Sequence, residues 1–173
     1  MEYIIPIITV CVTLLLGILG FIVNSLIQRK SNSIQVITKT RLARREKSKT
    51  LLSNIIKLSD PIYLDISKDK DDTLKELIGN VTDLRFEYTQ TFKCDYDLIS
   101  ASEEVKKFAI EYVKDKNNLE ELNNKRNNLI KIGDIYLQTE WKRIKLETVG
   151  KMKNKKLSSW DDIYQEYEKN YHD

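Results

Sequence analysis

The sequence predicts an all-α protein: one N-terminal transmembrane helix followed by a cytoplasmic helical bundle of about five helices. Three observations carry that prediction. Residues 4–27 run for 24 positions without a charge. Backbone breakers are scarce, with five Gly and two Pro in 173 residues, and two of those glycines fall inside the uncharged run. Beyond it, apolar residues recur at three- and four-residue spacing, the period of an amphipathic helix.

The first 28 positions hold a single charge, Glu2, and every Lys and Arg comes later. At about 1.5 Å per residue the run Ile4 to Ile27 spans roughly 36 Å, enough to cross a hydrocarbon core of about 30 Å with some tilt. A cleaved signal peptide fits less well. The leading Met-Glu-Tyr carries no cation, the run exceeds the usual signal length, and no small-x-small cleavage pattern follows. Pro6 stands near the start, where a missing N–H costs least.

Charge then sets orientation. Between residues 29 and 49 eight Lys and Arg face Glu46 alone, a local balance of +7. The positive-inside rule puts that flank in the cytoplasm and the N-terminus outside, so the chain is expected in the cell inner membrane. The same cluster suits anionic headgroups. Cys11 and Cys94 are too few and too far apart for a disulfide scaffold, as a reducing compartment requires. The chain thus divides into an anchor at 1–30, a basic juxtamembrane helix at 31–59 and the rest of the bundle at 60–173.

Taken in order, Ser31-Asn32-Ser33 is a polar joint. A second helix runs from about Ile34 to Leu58 and stops at Ser59-Asp60-Pro61. Pro61 to Ile66 alternates weakly, like a short strand with nothing to pair with. Thr73-x-x-Glu76 has the form of a capping box, opening a third helix whose stripe is Leu74, Leu77, Ile78, Val81, Leu84, Tyr88 and Phe92. Residues 91–100 lack a clear period and are expected to form a loop. A fourth helix starts near Ser102, with Val105, Phe108, Ala109, Tyr112 and Val113 as its buried stripe. A break at 115–118 precedes a long fifth helix carrying Leu122, Leu129, Ile130, Tyr136, Leu137, Trp141 and Ile144. Past the basic stretch 151–156, a terminal helix from Ser158 or Ser159 presents Trp160, Ile163, Tyr164, Tyr167 and Tyr171.

Much chemistry is excluded. The only histidine, His172, lies one residue from the end, which removes His-based triads and zinc sites. Gly79, Gly133 and Gly150 are isolated, so no phosphate-cradling loop exists. The acidic pairs 71–72, 103–104, 120–121 and 161–162 sit near helix starts, where they complement the dipole. No catalytic residue, metal or cofactor is expected, and the chain is read as a non-enzyme.

Two patterns remain as candidate sites. Thr9, Thr13, Gly17, Gly20 and Asn24 succeed one another at spacings of 4, 4, 3 and 4, a small and polar stripe suited to self-association in lipid or to lining a pore. Elsewhere Arg41 and Arg45 sit within the apolar face of the second helix and Arg44 borders it. Arg85 lies between Val81 and Tyr88, and Arg126 between Leu122 and Leu129. The planar guanidinium suits buried pairing with carboxylate or phosphate. The acids on the apolar stripes are Glu140 and Glu147, leaving positive charge over for an anionic ligand such as a nucleotide or oligonucleotide. A broad duplex-binding surface is disfavoured, because past residue 49 there are 21 cations against 24 acids, net −3.

This layout of small-residue span, basic joint (Ile34, Ile37, Thr38, Arg41) and helical domain resembles small single-span membrane effectors of bacterial antiphage defence. The resemblance covers organisation and no diagnostic motif. It implies a homo-oligomer in the lipid bilayer that depolarises the membrane when a cytosolic domain binds a nucleotide or nucleic-acid signal. The alternative expectation is a membrane-tethered scaffold for a regulatory protein partner, without channel activity.

Overall fold

The computed structural model describes residues 4–88, 92–148 and 158–170; the side chains at 4–12, 33, 147, 148 and 158–160 lie outside the described set. The basic stretch 151–156, Tyr171, and the side chains of Thr9, Glu147 and Trp160 therefore fall outside the described residues. The fold is all-α, with no strand among the described residues. It separates into two compact units, Met1–Thr40 and Arg41–Asp173.

Helix α1 is Ile4–Leu58. The joint expected at Ser31-Asn32-Ser33 is helical instead. Ser and Asn each cost only tenths of a kcal/mol relative to Ala, and neither Gly nor Pro is present to break the turn. In the first unit this helix exposes Leu14, Leu15, Leu16, Ile18, Leu19, Phe21, Ile22, Val23, Leu26 and Ile27. It is the one helix among the described residues long and apolar enough to cross a membrane, and none of that apolar window is buried.

The second unit begins with the last turns of α1, where Leu51, Leu52, Ile55 and Leu58 enter the core. At Pro61–Ile66, read from sequence as a weak strand, the chain forms the short helix α2. Asp60 caps it, accepting from the amides of Ile62 (2.9 Å) and Tyr63 (3.3 Å), and Pro61 occupies the position that needs no donor. Helix α3, Lys70–Glu87, starts before Thr73: its cap is Asp69, which accepts from Asp72 N–H at 3.0 Å. Thr73 instead lies in the first turns, donating to Asp69 O at 2.9 Å. Leu77, Val81 and Leu84 are buried as expected, while Ile78 is exposed.

Helix α4 spans Lys93–Lys114, so most of the stretch expected as a loop is helical. Its buried seam is Cys94, Leu98, Ala101, Ser102, Val105, Ala109 and Tyr112. Four of these seven are small residues, which weakens the hydropathy signal while permitting close packing. Phe92, at the cap position, has no side-chain acceptor to offer; Asp161 of the terminal helix accepts from Lys93 N–H at 3.2 Å. The expected break is a single 3-10 turn, Lys116–Asn118, with Asp115 accepting from Asn117 N–H at 3.0 Å.

Helix α5, Leu119–Thr148, has 30 residues and is about 45 Å long. It buries Leu122, Leu129, Ile135, Tyr136 and Ile144. At Gly133 a Cβ would lie 3.3 Å from Leu52 Cδ1, so glycine lets α1 and α5 approach closely here. Helix α6, Ser158–Asn170, buries Ile163 and Tyr164. The Tyr164 hydroxyl donates to Asp97 at 3.0 Å, and Lys142 and Lys93 pair with Glu166 and Glu168 at 2.8 and 2.9 Å.

Candidate functional site

The last turns of α1 carry Arg44, Arg45 and Ser48 against the end of α3, the start of α4 and the middle of α5. Ser48 Oγ donates to Arg44 O at 2.8 Å and so accepts from Tyr88 Oη. The Tyr88 and Tyr136 rings meet edge to face, centroids 5.4 Å apart. The Tyr136 hydroxyl donates to Glu140 at 3.2 Å. Arg44 lies over the Tyr88 ring, 4.7 Å from its centroid, and donates from Nη2 to Glu87 O at 3.1 Å. Its Nε is buried without an acceptor.

Two carboxylates are enclosed with these groups: Asp95 is 1% exposed and Glu140 3%. Burial pushes the Asp95 carboxyl up from an ordinary 3.8 to about 6; Arg44 and Arg143 pull it down, and Glu140 adds to the rise. Burial works against the Arg44 charge, but Tyr136, Tyr88, Asp95 and Glu140 outweigh it and hold the guanidinium above its usual range. The phenols of Tyr88 and Tyr136 are both raised, chiefly by burial. Burial also pushes the Cys94 thiol well up, so the residue beside Asp95 is an inert thiol and not a nucleophile. Among the described residues no three His, Cys, Asp or Glu side chains converge to hold a metal ion.

The sequence-predicted arginines do not form one site. Arg45 extends from the same end of α1, donating to Leu137 O at 3.5 Å and to Glu46 at 3.2 Å, with Trp141 5.5 Å from its guanidinium. Arg41 is half-buried and Arg85 is on the exposed face of α3. Arg126 is engaged some 12 residues further along α1, about 18 Å away, donating to Ile56 O at 3.2 Å and to Asp60 at 2.6 Å. It borders a shallow depression of about 490 Å³ whose other charged linings are Lys57 and Asp60.

The charge account therefore differs from the one read off the stripes. Arg126 has Asp60, and Arg44 has the field of Asp95 as well as that of Glu140. Asp95 was missed because its segment was expected to be a loop. The spacing Cys94, Leu98, Ala101, Val105, Ala109, Tyr112 is the signal that places it on a helix.

In the first unit, Gly17 and Gly20 have open space where a Cβ would sit, and Asn24 is exposed. The side chain of Thr9 lies outside the described residues. No protein-family model, curated protein or solved structure matches this chain.

Proposed function

We propose that this is a single-span membrane protein whose apolar helix anchors and self-associates while its helical bundle engages a protein partner on the cytoplasmic side. The observation that carries the reading is the uncovered run Leu14 to Ile27, with large side chains 48–76% exposed. Fourteen residues of such surface are costly in water and are at home in lipid. The cations from Arg29 to Lys49 favour an inner-membrane orientation with the bundle inside. A tethered scaffold is preferred to a nucleotide sensor because Arg45 pairs with Glu46, Arg126 with Asp60, and Arg44 lies in the field of Asp95 and Glu140, which lessens the excess charge that motivated an anionic ligand.

Alkaline carbonate extraction and impermeant thiol labelling test the anchor. The chain stays with the membrane pellet, and Tyr3→Cys is labelled in intact cells whereas Lys153→Cys is labelled only after lysis. Release by carbonate, or the reverse labelling, overturns the reading.

A second reading is favoured by one observation, the exposed polar and small stripe Thr13, Gly17, Gly20, Asn24, to which Thr9 belongs by sequence. In it the oligomer is a depolarising effector of antiphage defence under a nucleotide or oligonucleotide signal. Expression with a membrane-potential dye separates the two, since the scaffold leaves the potential unchanged. Nucleotide that co-purifies with the chain and is lost in a folded Arg41→Ala/Arg45→Ala variant would replace the scaffold by the sensor.

A further inference from the structure

Two faces of the bundle lack a partner within the chain, and they match each other. On α3, Phe86 is 83% exposed, and exposed Gly79 precedes it on the same line of the helix. Glu76 and Asp83 flank that line, both exposed, and neither makes an ion pair among the described residues. Between α1 and α5 runs a depression of about 260 Å³, lined chiefly by Leu52, Ile56, Leu129, Ile130, Gly133 and Leu137. Its α1 rim carries Lys49, and Lys57 follows on the same helix with the Tyr63 ring beside it. Neither lysine has an ion pair among the described residues.

The levels of these groups follow from bonds inside the chain. Asn54 donates to Asn80 at 3.3 Å and Lys47 pairs with Glu87, contacts seven residues apart on each helix, so α3 runs antiparallel beside α1 and in step with it. Glu76 then stands level with Leu58 and Asp83 with Leu51, each within about 3 Å along the axis of Lys57 and Lys49 respectively. Phe86 stands level with Ser48 and leans towards the start of its own helix, which is the level of the depression.

We propose that a second copy of this chain seats its α3 in the depression between α1 and α5, and receives α3 of the first copy in return, about a twofold axis parallel to these helices. Such an axis keeps every level and makes the two contacts identical. It lays the line from Gly79 to Phe86 on the partner's depression, and it brings Asp83 to the partner's Lys49 and Glu76 to the partner's Lys57. Because Asn80 and Glu87 face α1, the acids beside them lie on that side of α3, and the rotation aims them at the partner's α1 and away from Asp134 on the α5 wall. The other acids nearby, Glu46 and Glu87, are held by Arg45 and Lys47. Exposed apolar surface, opposite charge and level coincide on two faces of one chain, which makes the occupant a second copy and not a different protein. The contact lies wholly in the bundle, beyond any association of the apolar helix.

Disulfide cross-linking between two differently tagged full-length chains, co-expressed in membranes, tests this in a Cys11→Ser background with buried Cys94 retained. Ser53 lines the depression and is exposed, and an added Cβ at Gly79 meets nothing within 4 Å. Ser53→Cys in one chain and Gly79→Cys in the other are expected to give covalent heterodimer roughly tenfold faster than Ser53→Cys with Lys107→Cys, an exposed site on α4. Adding Glu76→Lys/Asp83→Lys to the Gly79→Cys chain should slow the reaction roughly tenfold, and adding Lys49→Glu/Lys57→Glu to the Ser53→Cys chain as well should restore it. A misfolded variant is not restored in this way. Equal rates at Gly79 and Lys107 overturn the proposal, and so does charge reversal without effect or without restoration. Carbonate extraction reads the anchor separately, so failure of the cross-link leaves the membrane-anchored reading standing.

Discussion

Replacing Asp95 by Asn removes an enclosed carboxyl whose titration burial moves towards neutral pH, and keeps its shape. Burial raises that carboxyl from 3.8 to about 6 in the folded protein. The folded state thus binds a proton that the unfolded state has released between those values, and the stability it contributes is complete below pH 4 and is lost as pH rises through 6. At about 1.4 kcal/mol per pH unit the loss reaches roughly 3 kcal/mol by pH 7. Asn carries no charge to desolvate, so Asp95→Asn is expected to match the wild type near pH 4 and to exceed it by up to about 3 kcal/mol at pH 7. Urea unfolding of the full chain in mild detergent, followed by tryptophan fluorescence at several pH values, gives the difference directly, because every other titration is common to both proteins. A difference independent of pH refutes the reasoning. So does a variant less stable at pH 7, which would mean that ionised Asp95 is worth more to Arg44 than its burial costs.

The other expectations use the same unfolding measurement. Tyr136→Phe deprives the 3%-exposed Glu140 of its phenolic donor and should cost about 1–3 kcal/mol; no loss would mean that the bond at 3.2 Å contributes nothing. Leu98→Ala tests the early start of α4: a fully buried leucine costs about 2–5 kcal/mol, whereas a loop residue would cost well under 1. Two helical glycines should answer oppositely. Gly79→Ala has open space and should stabilise by about 0.5–1 kcal/mol. Gly133→Val forces a branched side chain towards Leu52 and should cost about 1–3 kcal/mol; equal effects at the two positions would contradict the close approach of α1 and α5.

The helical class was legible because so little in the chain can stop a helix, and the same scarcity explains where the reading of boundaries failed. Ser31-Asn32-Ser33 suggests a joint by its polarity, yet polar residues on an exposed helix cost little and only Gly or Pro would make the break. Asp69 was overlooked as a cap because Thr73 and Glu76 matched the better-known pattern, although an Asp three residues before an amide caps equally well. At Pro61 the apolar alternation was too short to decide, and the Asp-Pro pair was the stronger signal, since Pro is favoured in the first turn and Asp just before it. In α4 the seam is written in Cys, Ala and Ser, residues chosen for closeness and not for oiliness, so a search for large apolar side chains sees it only from Val105 onward.

The arginines' partners are not legible on the stripes, and the reason is physical. A helix wheel shows what shares a face with a guanidinium but nothing of what faces it from elsewhere. Arg44 is met by the Tyr88 ring and by a main-chain carbonyl, Glu87 O, neither of which carries formal charge and neither of which enters a count of acids. Arg126 is met by Asp60, which the sequence marks as a helix stop and which serves both α2 and the guanidinium. Contacts of this kind tie the end of α1 to the end of α3 and to α5, and a count of acids along the stripes does not register them.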